Sequence, residues 1–72
     1  QMTVATNLDA YMEAKFMPQC NTSLAAALQW VESIYPTCRI TFNTAESRFY
    51  ADDILPTKYY YENGLLLTRE AS

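Results

Sequence analysis

The apolar period of this chain changes once, and the change falls at Pro36. Before it, Leu24, Ala27, Leu28, Val31, Ile34 and Tyr35 recur every three or four residues, which makes one continuous stripe on a helix. After it, Cys38, Ile40 and Phe42 alternate with Arg39, Thr41 and Asn43, the two-residue period of a strand with one buried face. A chain carrying both periods must lay a helix stripe on a sheet face. An α+β layer architecture follows.

A shorter helix precedes that stripe. Thr6-Asn7-Leu8-Asp9 fits a capping box with Thr6 as N-cap. Leu8, Tyr11, Met12, Lys15 and Phe16 then fall at helical spacing, and Pro18 ends the run. The second helix starts at Asn21 or Thr22 and runs to Tyr35, and its three alanines at 25–27 raise propensity and admit a close neighbour. Downstream, TAES reads as a turn and RFYA as a strand with Phe49 and Ala51 inward. The stretch AESRFYADDIL also fits a short helix.

The final segment, KYYYENGLLLTRE at 58–70, is a hairpin with two candidate registers. A two-residue Asn63-Gly64 turn pairs Tyr61 with Leu66 and puts Glu62 on one face with Leu65 and Leu67. A three-residue loop over 62–64, with Gly64 left-handed in a bulge, pairs Tyr61 with Leu65 and Tyr59 with Leu67. The longer loop sorts apolar from polar side chains more cleanly and is preferred. It sends Tyr60 and Leu66 away from the helices. The expected fold is two N-terminal helices on one face of an antiparallel sheet of three to four strands, in the order ααββββ. Leu28, Val31 and Ile34 are expected to pack on Ile40, Phe42, Tyr59, Tyr61, Leu65 and Leu67.

With 72 residues, half of them apolar and 18% charged, the chain has a folded composition and room for one domain over residues 1–72. Cys20 and Cys38 flank the second helix. A helix of about fourteen residues spans roughly 21 Å, while a disulfide needs Cα atoms within about 7 Å. Free thiols and a reducing, cytoplasmic setting are expected. Asn21-Thr22-Ser23 matches a glycosylation sequon but reads more simply as a helix start. Gln1 before Met2 reads as a tag remnant ahead of the native start. No secretory leader and no apolar run of membrane-spanning length is present, so no membrane partner is expected.

The inventory of reactive groups is thin. There is no histidine, the side chain best suited to proton transfer near neutral pH. Ser23, Ser33 and Ser47 therefore lack a histidine base, and Cys20 before a helix start reads as a structural thiol. The single glycine rules out a phosphate-cradling glycine-rich loop. Asp52 and Asp53 are adjacent and diverge in an extended chain, and Asp9 with Glu13 is too small a set for a metal. No catalytic residue, cofactor site or metal site is assigned, and a non-enzymatic protein is expected.

What remains is the outward face of the expected sheet: Arg39, Thr41, Asn43, Arg48, Tyr50, Lys58, Tyr60, Leu66 and Thr68. Three of the five basic residues fall there with two tyrosines and no acid. Tyrosine and arginine concentrate at binding hot spots, although an exposed tyrosine on a sheet also follows from β-propensity alone. Arg39, Arg48, Tyr50, Lys58, Tyr60 and Leu66 are the candidate partner-binding residues. The expected function is an inhibitor or adaptor that occupies a surface of a larger protein, or self-association as a homodimer. Single-stranded nucleic acid stacked on the tyrosines is the alternative, disfavoured by a pI near 4.6. Phages and mobile elements use small non-catalytic chains of this kind against host machinery, CRISPR complexes included. That comparison rests on size and inventory, with no motif behind it.

Overall fold

The computed structural model describes residues 3–13, 18–52 and 56–69. In chain order these form β1 (Thr3–Ala5), α1 (Leu8–Glu13), β2 (Pro18–Asn21), α2 (Leu24–Ile34), β3 (Ile40–Asn43), β4 (Arg48–Ala51), β5 (Tyr59–Glu62) and β6 (Leu65–Thr68). The fold is α+β, as the two apolar periods require, but its layout differs from ααββββ. The helices are interleaved with strands, and the sheet has six strands in the order β1-β2-β6-β5-β4-β3. It is mixed: β1 and β2 run parallel and every other neighbouring pair is antiparallel. β1-α1-β2 is thus a short crossover unit, and β2 docks it beside β6.

Both helices start one residue or more after the expected cap. Asn7 caps α1, its side-chain oxygen accepting the Ala10 N–H at 2.8 Å, in place of Thr6. Ser23 caps α2, its hydroxyl accepting the Ala26 N–H at 3.1 Å, in place of Asn21 or Thr22. Asn21 is instead the last residue of β2. α2 ends before Pro36 with Tyr35 as C-cap. Lys15, Phe16 and Asp53 lie outside the described residues.

The β3–β4 hairpin matches its expectation, with RFYA a strand and Phe49 and Ala51 buried. Its 44–47 loop is held by the Asn43 side chain, which accepts the Glu46 N–H at 2.9 Å, and Ser47 closes it at φ +55°. The β5–β6 hairpin takes the shorter loop. Tyr61 pairs with Leu66, Tyr60 with Leu67 and Glu62 with Leu65, across a turn with Asn63 at φ +54° and Gly64 at +78°. Two consecutive left-handed residues are what a two-residue type I′ turn demands, and Asn-Gly adopts them at least cost. Leu66 is therefore fully buried beneath the helices, while Leu65 and Leu67 face away from them.

One row of cross-strand neighbours, Ala5, Cys20, Leu66 and Tyr61, lies under the helices together with Tyr59, Phe49, Ala51, Ile40 and Phe42. α2 contributes Ala27 and Val31, both wholly buried, with Leu28 and Ile34 at the margin. Trp30, absent from the sequence stripe, sits edge-on between Tyr11 and Tyr59, with ring centroids at 5.1 and 5.2 Å. Such edge-to-face pairs add about 0.5–1.5 kcal/mol each beyond burial. The Tyr61 hydroxyl donates to the Thr22 carbonyl at 2.8 Å, tying the hairpin to the start of α2. The Tyr11 hydroxyl is buried near the Thr68 side chain but completes no well-formed hydrogen bond among the described residues. Cys20 and Cys38 are free thiols, the first buried and the second half-buried.

Where Pro56 interrupts the chain, Thr57 repairs the seam between β4 and β5. Its buried hydroxyl donates to the Phe49 carbonyl at 2.8 Å and accepts the Tyr59 N–H at 3.2 Å. These bonds supplement a sparse ladder, in which Arg48 and Tyr60 stand in register and the Thr57 and Tyr61 N–H groups donate to the Phe49 and Ser47 carbonyls at 3.2 and 2.9 Å.

Candidate functional site

Helices cover one face of the sheet, and the alternation of strand residues decides what the other face shows. Opposite Ala5, Cys20, Leu66, Tyr61 and Phe49, the outward positions are Val4, Gln19, Leu67, Tyr60 and Arg48 across successive strands. Leu65, Glu62, Tyr50, Thr41 and Asn43 share that face by the same alternation.

Tyr60 is its centre. The Arg48 guanidinium lies 4.4 Å from the ring centroid and the Arg69 guanidinium 4.6 Å. Arg48 stands directly across β4 from Tyr60, and Arg69 extends from the β6 side, so the cations flank the ring from its two neighbouring strands. Cation–π contacts of this kind contribute about 0.5–2 kcal/mol, more as water is excluded. They and Leu67 cover Tyr60 until only 8% of it is exposed, and Leu67 is covered to the same degree. The outer face thus has a small buried cluster of its own.

The charges on this face are unevenly paired. Arg69 donates to Glu62 at 2.7 Å, a partly exposed ion pair worth about 0–1 kcal/mol. Tyr50 donates its hydroxyl to the Glu46 carboxylate, which raises the tyrosine's pKa because the hydrogen bond holds the proton. Arg48 has no such partner among the described residues, and its buried Nε donates to none of their acceptors. Beside Arg69, the residues Gln19, Glu62, Asn63, Leu65, Leu67 and Thr68 enclose a depression of about 200 Å³. Val4, 57% exposed, is the apolar residue that β1 presents on this face.

The six expected contact residues separate accordingly. Arg48 and Tyr50 are on the outward face, and Arg39 is exposed just before β3. Tyr60 is on that face but covered. Leu66 is on the opposite face, because the two-residue turn shifts its register by one. Lys58 places its ammonium 5.7 Å from the Tyr59 ring centroid, toward the helix-side aromatic cluster. An acid also enters the face, since Glu62 stands there opposite Leu65. Arg69, Leu67, Gln19 and Val4 were missed. Arg69 and Leu67 are within reach of the sequence, Leu67 on β6 and Arg69 just past its end, and the correct register puts both beside Tyr60. Comparison with family models, curated proteins and solved structures yields no match to this chain.

Proposed function

We propose that the protein acts by contact and not by catalysis, using the outward sheet face to occupy a surface of a larger protein in the manner of an inhibitor or adaptor. The observation that carries this reading is the Arg48–Tyr60–Arg69 arrangement, in which two guanidinium groups are fixed around one ring on the face the helices leave open. Fixing long cationic side chains before binding lowers the entropy lost on association, which is how a small face gains affinity. Blocking host machinery on behalf of a phage or mobile element, within the cytoplasm, is one role such a contact would serve.

Self-association is the competing use of the same face, since a homodimer would also cover it. Nucleic acid is weakened as an alternative: flanking guanidinium groups and Leu67 leave little of Tyr60 open as a stacking platform. The test is site-specific photo-crosslinking in the source cell, with benzoylphenylalanine at position 50 on the outward face or at position 32 on α2. A discrete protein adduct from position 50 that Arg48→Glu abolishes is the expected result. Adducts from position 32 alone, or adducts indifferent to Arg48→Glu, would reject the face. Sedimentation of the same variants identifies the partner as a second copy if a dimer forms and Arg48→Glu dissolves it.

A further inference from the structure

We propose that β3 is a pairing edge whose occupant is the β3 of a second copy of this chain, laid antiparallel about a two-fold axis through Thr41. The site is the rim of the sheet and not its open face, so the proposal stands apart from the contact reading above.

The backbone of β3 shows which groups are free. The Asp52 N–H donates to the Arg39 carbonyl at 3.0 Å, and the same register runs on through Thr41↔Tyr50 and Asn43↔Arg48. Bonded and non-bonded pairs alternate along an antiparallel ladder, so Arg39, Thr41 and Asn43 turn their backbone groups toward β4. The alternation holds on β4 as well, where the Ser47 and Phe49 carbonyls face the β5 side and accept the Tyr61 and Thr57 N–H groups. The N–H and C=O groups of Ile40 and Phe42 therefore point outward from the last strand of the sheet. Arg39 and Thr41 beside them are exposed. Sheet edges are ordinarily blunted by proline, lysine or a bulge. β3 reads ITFN with unbroken register over its four residues and has none of these. The other rim, β1, has only three residues and offers a shorter ladder.

The edge is complementary to itself. With the axis through Thr41, Ile40 of each copy pairs with the second copy's Phe42, and every free N–H and C=O of those two residues finds a partner. Ile40 and Phe42 lie on the helix side, where Phe42 is only half-buried, so the pairing also covers its ring. On the outer side Thr41 meets Thr41, a favourable cross-strand pair. No charge stands at the axis to meet its like. The charges sit at the ends in opposite order, with exposed Arg39 before β3 and exposed Glu46 in the loop after it. Antiparallel pairing brings Arg39 of one copy alongside the Glu46-bearing loop of the other. A foreign strand could use the same backbone groups, but it has no reason to match this order of side chains. Four residues per copy place the interface below about 1,200 Å², the range of weak, reversible association. The dimer joins the two sheets into one and leaves both outer faces open on the same side.

The experiment follows amide hydrogen exchange of the ¹⁵N-labelled, unsubstituted chain by NMR from micromolar to millimolar concentration, beside sedimentation of the same samples. The Ile40 and Phe42 amides are expected to slow by about tenfold or more as the dimer fills, with Val4 unchanged. Thr41→Lys sets two like charges at the axis and is expected to weaken the dimer about fivefold or more without moving the urea midpoint. Arg48→Glu, one strand inward, leaves it intact, which separates this dimer from one built on the open face. In a Cys38→Ser background, Thr41→Cys is expected to form an intermolecular disulfide on mild oxidation, because residues paired at the axis stand about 4.5 Å apart at Cα. Tyr50→Cys, on the open face, is expected to form none. A monomer at millimolar concentration, a dimer that leaves Ile40 and Phe42 exchanging freely, protection centred on Val4, or crosslinking at position 50 in place of 41 overturns the proposal.

Discussion

Replacing Leu66 by alanine tests the hairpin register and the depth of the core together. Leu66 is fully buried, with Cys20 on β2 and Tyr61 on β5 as its cross-strand neighbours. The substitution removes three carbons, about 2.4 kcal/mol at roughly 0.8 kcal/mol each, and the residual cavity carries the total into the range of about 2–5 kcal/mol. At about 0.05–0.15 kcal/mol per residue, 72 residues give a whole-domain stability of roughly 4–11 kcal/mol. Leu66→Ala therefore removes between a fifth and all of it. With about 4–8 °C per kcal/mol for a domain of this size, the melting temperature drops by at least about 8 °C. Leu65→Ala, on the open face at the loop end, is expected to cost about 1 kcal/mol or less. Urea unfolding followed by the fluorescence of Trp30, the single tryptophan, reads both, because that ring is packed between Tyr11 and Tyr59. If Leu65→Ala costs more than Leu66→Ala, the two-residue turn and the face assignment built on it are wrong.

Burial holds the pKa of Tyr11 and Tyr59 above the ordinary 10.0 of tyrosine. Unfolded chains lose these protons first, so the associated stability is intact below about pH 10 and falls as pH rises beyond it. Tyr11→Phe should flatten that alkaline decline in thermal melts, and should be neutral or stabilising by up to about 1 kcal/mol at pH 7 because the lost hydroxyl completes no well-formed hydrogen bond among the described residues; a loss of several kcal/mol would reveal a partner for it. Alkylation without reductant should modify Cys38 quickly and Cys20 only on unfolding, since Cys20 is buried and its thiol pKa is raised by burial; protection of both in the denatured protein would mean a bridge. Gly64→Ala should cost about 1 kcal/mol through its φ of +78° and not through crowding, since the added Cβ meets nothing within 4 Å; a neutral effect in urea titration would show that the turn relaxes.

Legibility in the sequence followed the length and locality of each element. α2 and the strands from Ile40 onward carry periodic patterns, and each was recognised, with β4 the weakest. β1 has three residues and β2 has four beginning with proline, too short for alternation to register, and proline is tolerated in a sheet only in such a first or edge position. What makes Pro18–Asn21 a strand is its pairing with distant Leu65–Leu67, which no local window contains. The hairpin failed for another reason. Asn63-Gly64 is a strong local turn signal, but the wish to sort Leu65 and Leu67 into one core with Tyr59 and Tyr61, away from Glu62, argues against it. Tyr60 and Leu67 instead form a second cluster on the outer face, so clean sorting onto one face was the wrong criterion. The same slip carried Leu66 into the contact set and left Arg69 out of it.

The β2–β6 seam also has a consequence for how the chain comes together in time. Cys20 and Leu66 pair across 46 positions (66 minus 20), whereas the β3–β4 and β5–β6 hairpins close over a handful. Distant strands lose more chain freedom before any contact compensates, so the two hairpins form early and the crossover unit docks late. During synthesis β2 can gain β1 as a neighbour on one side, but its other edge waits until residues 65–67 emerge. For that interval the nascent protein carries an open strand edge bearing Cys20, and β6 is the element that closes it.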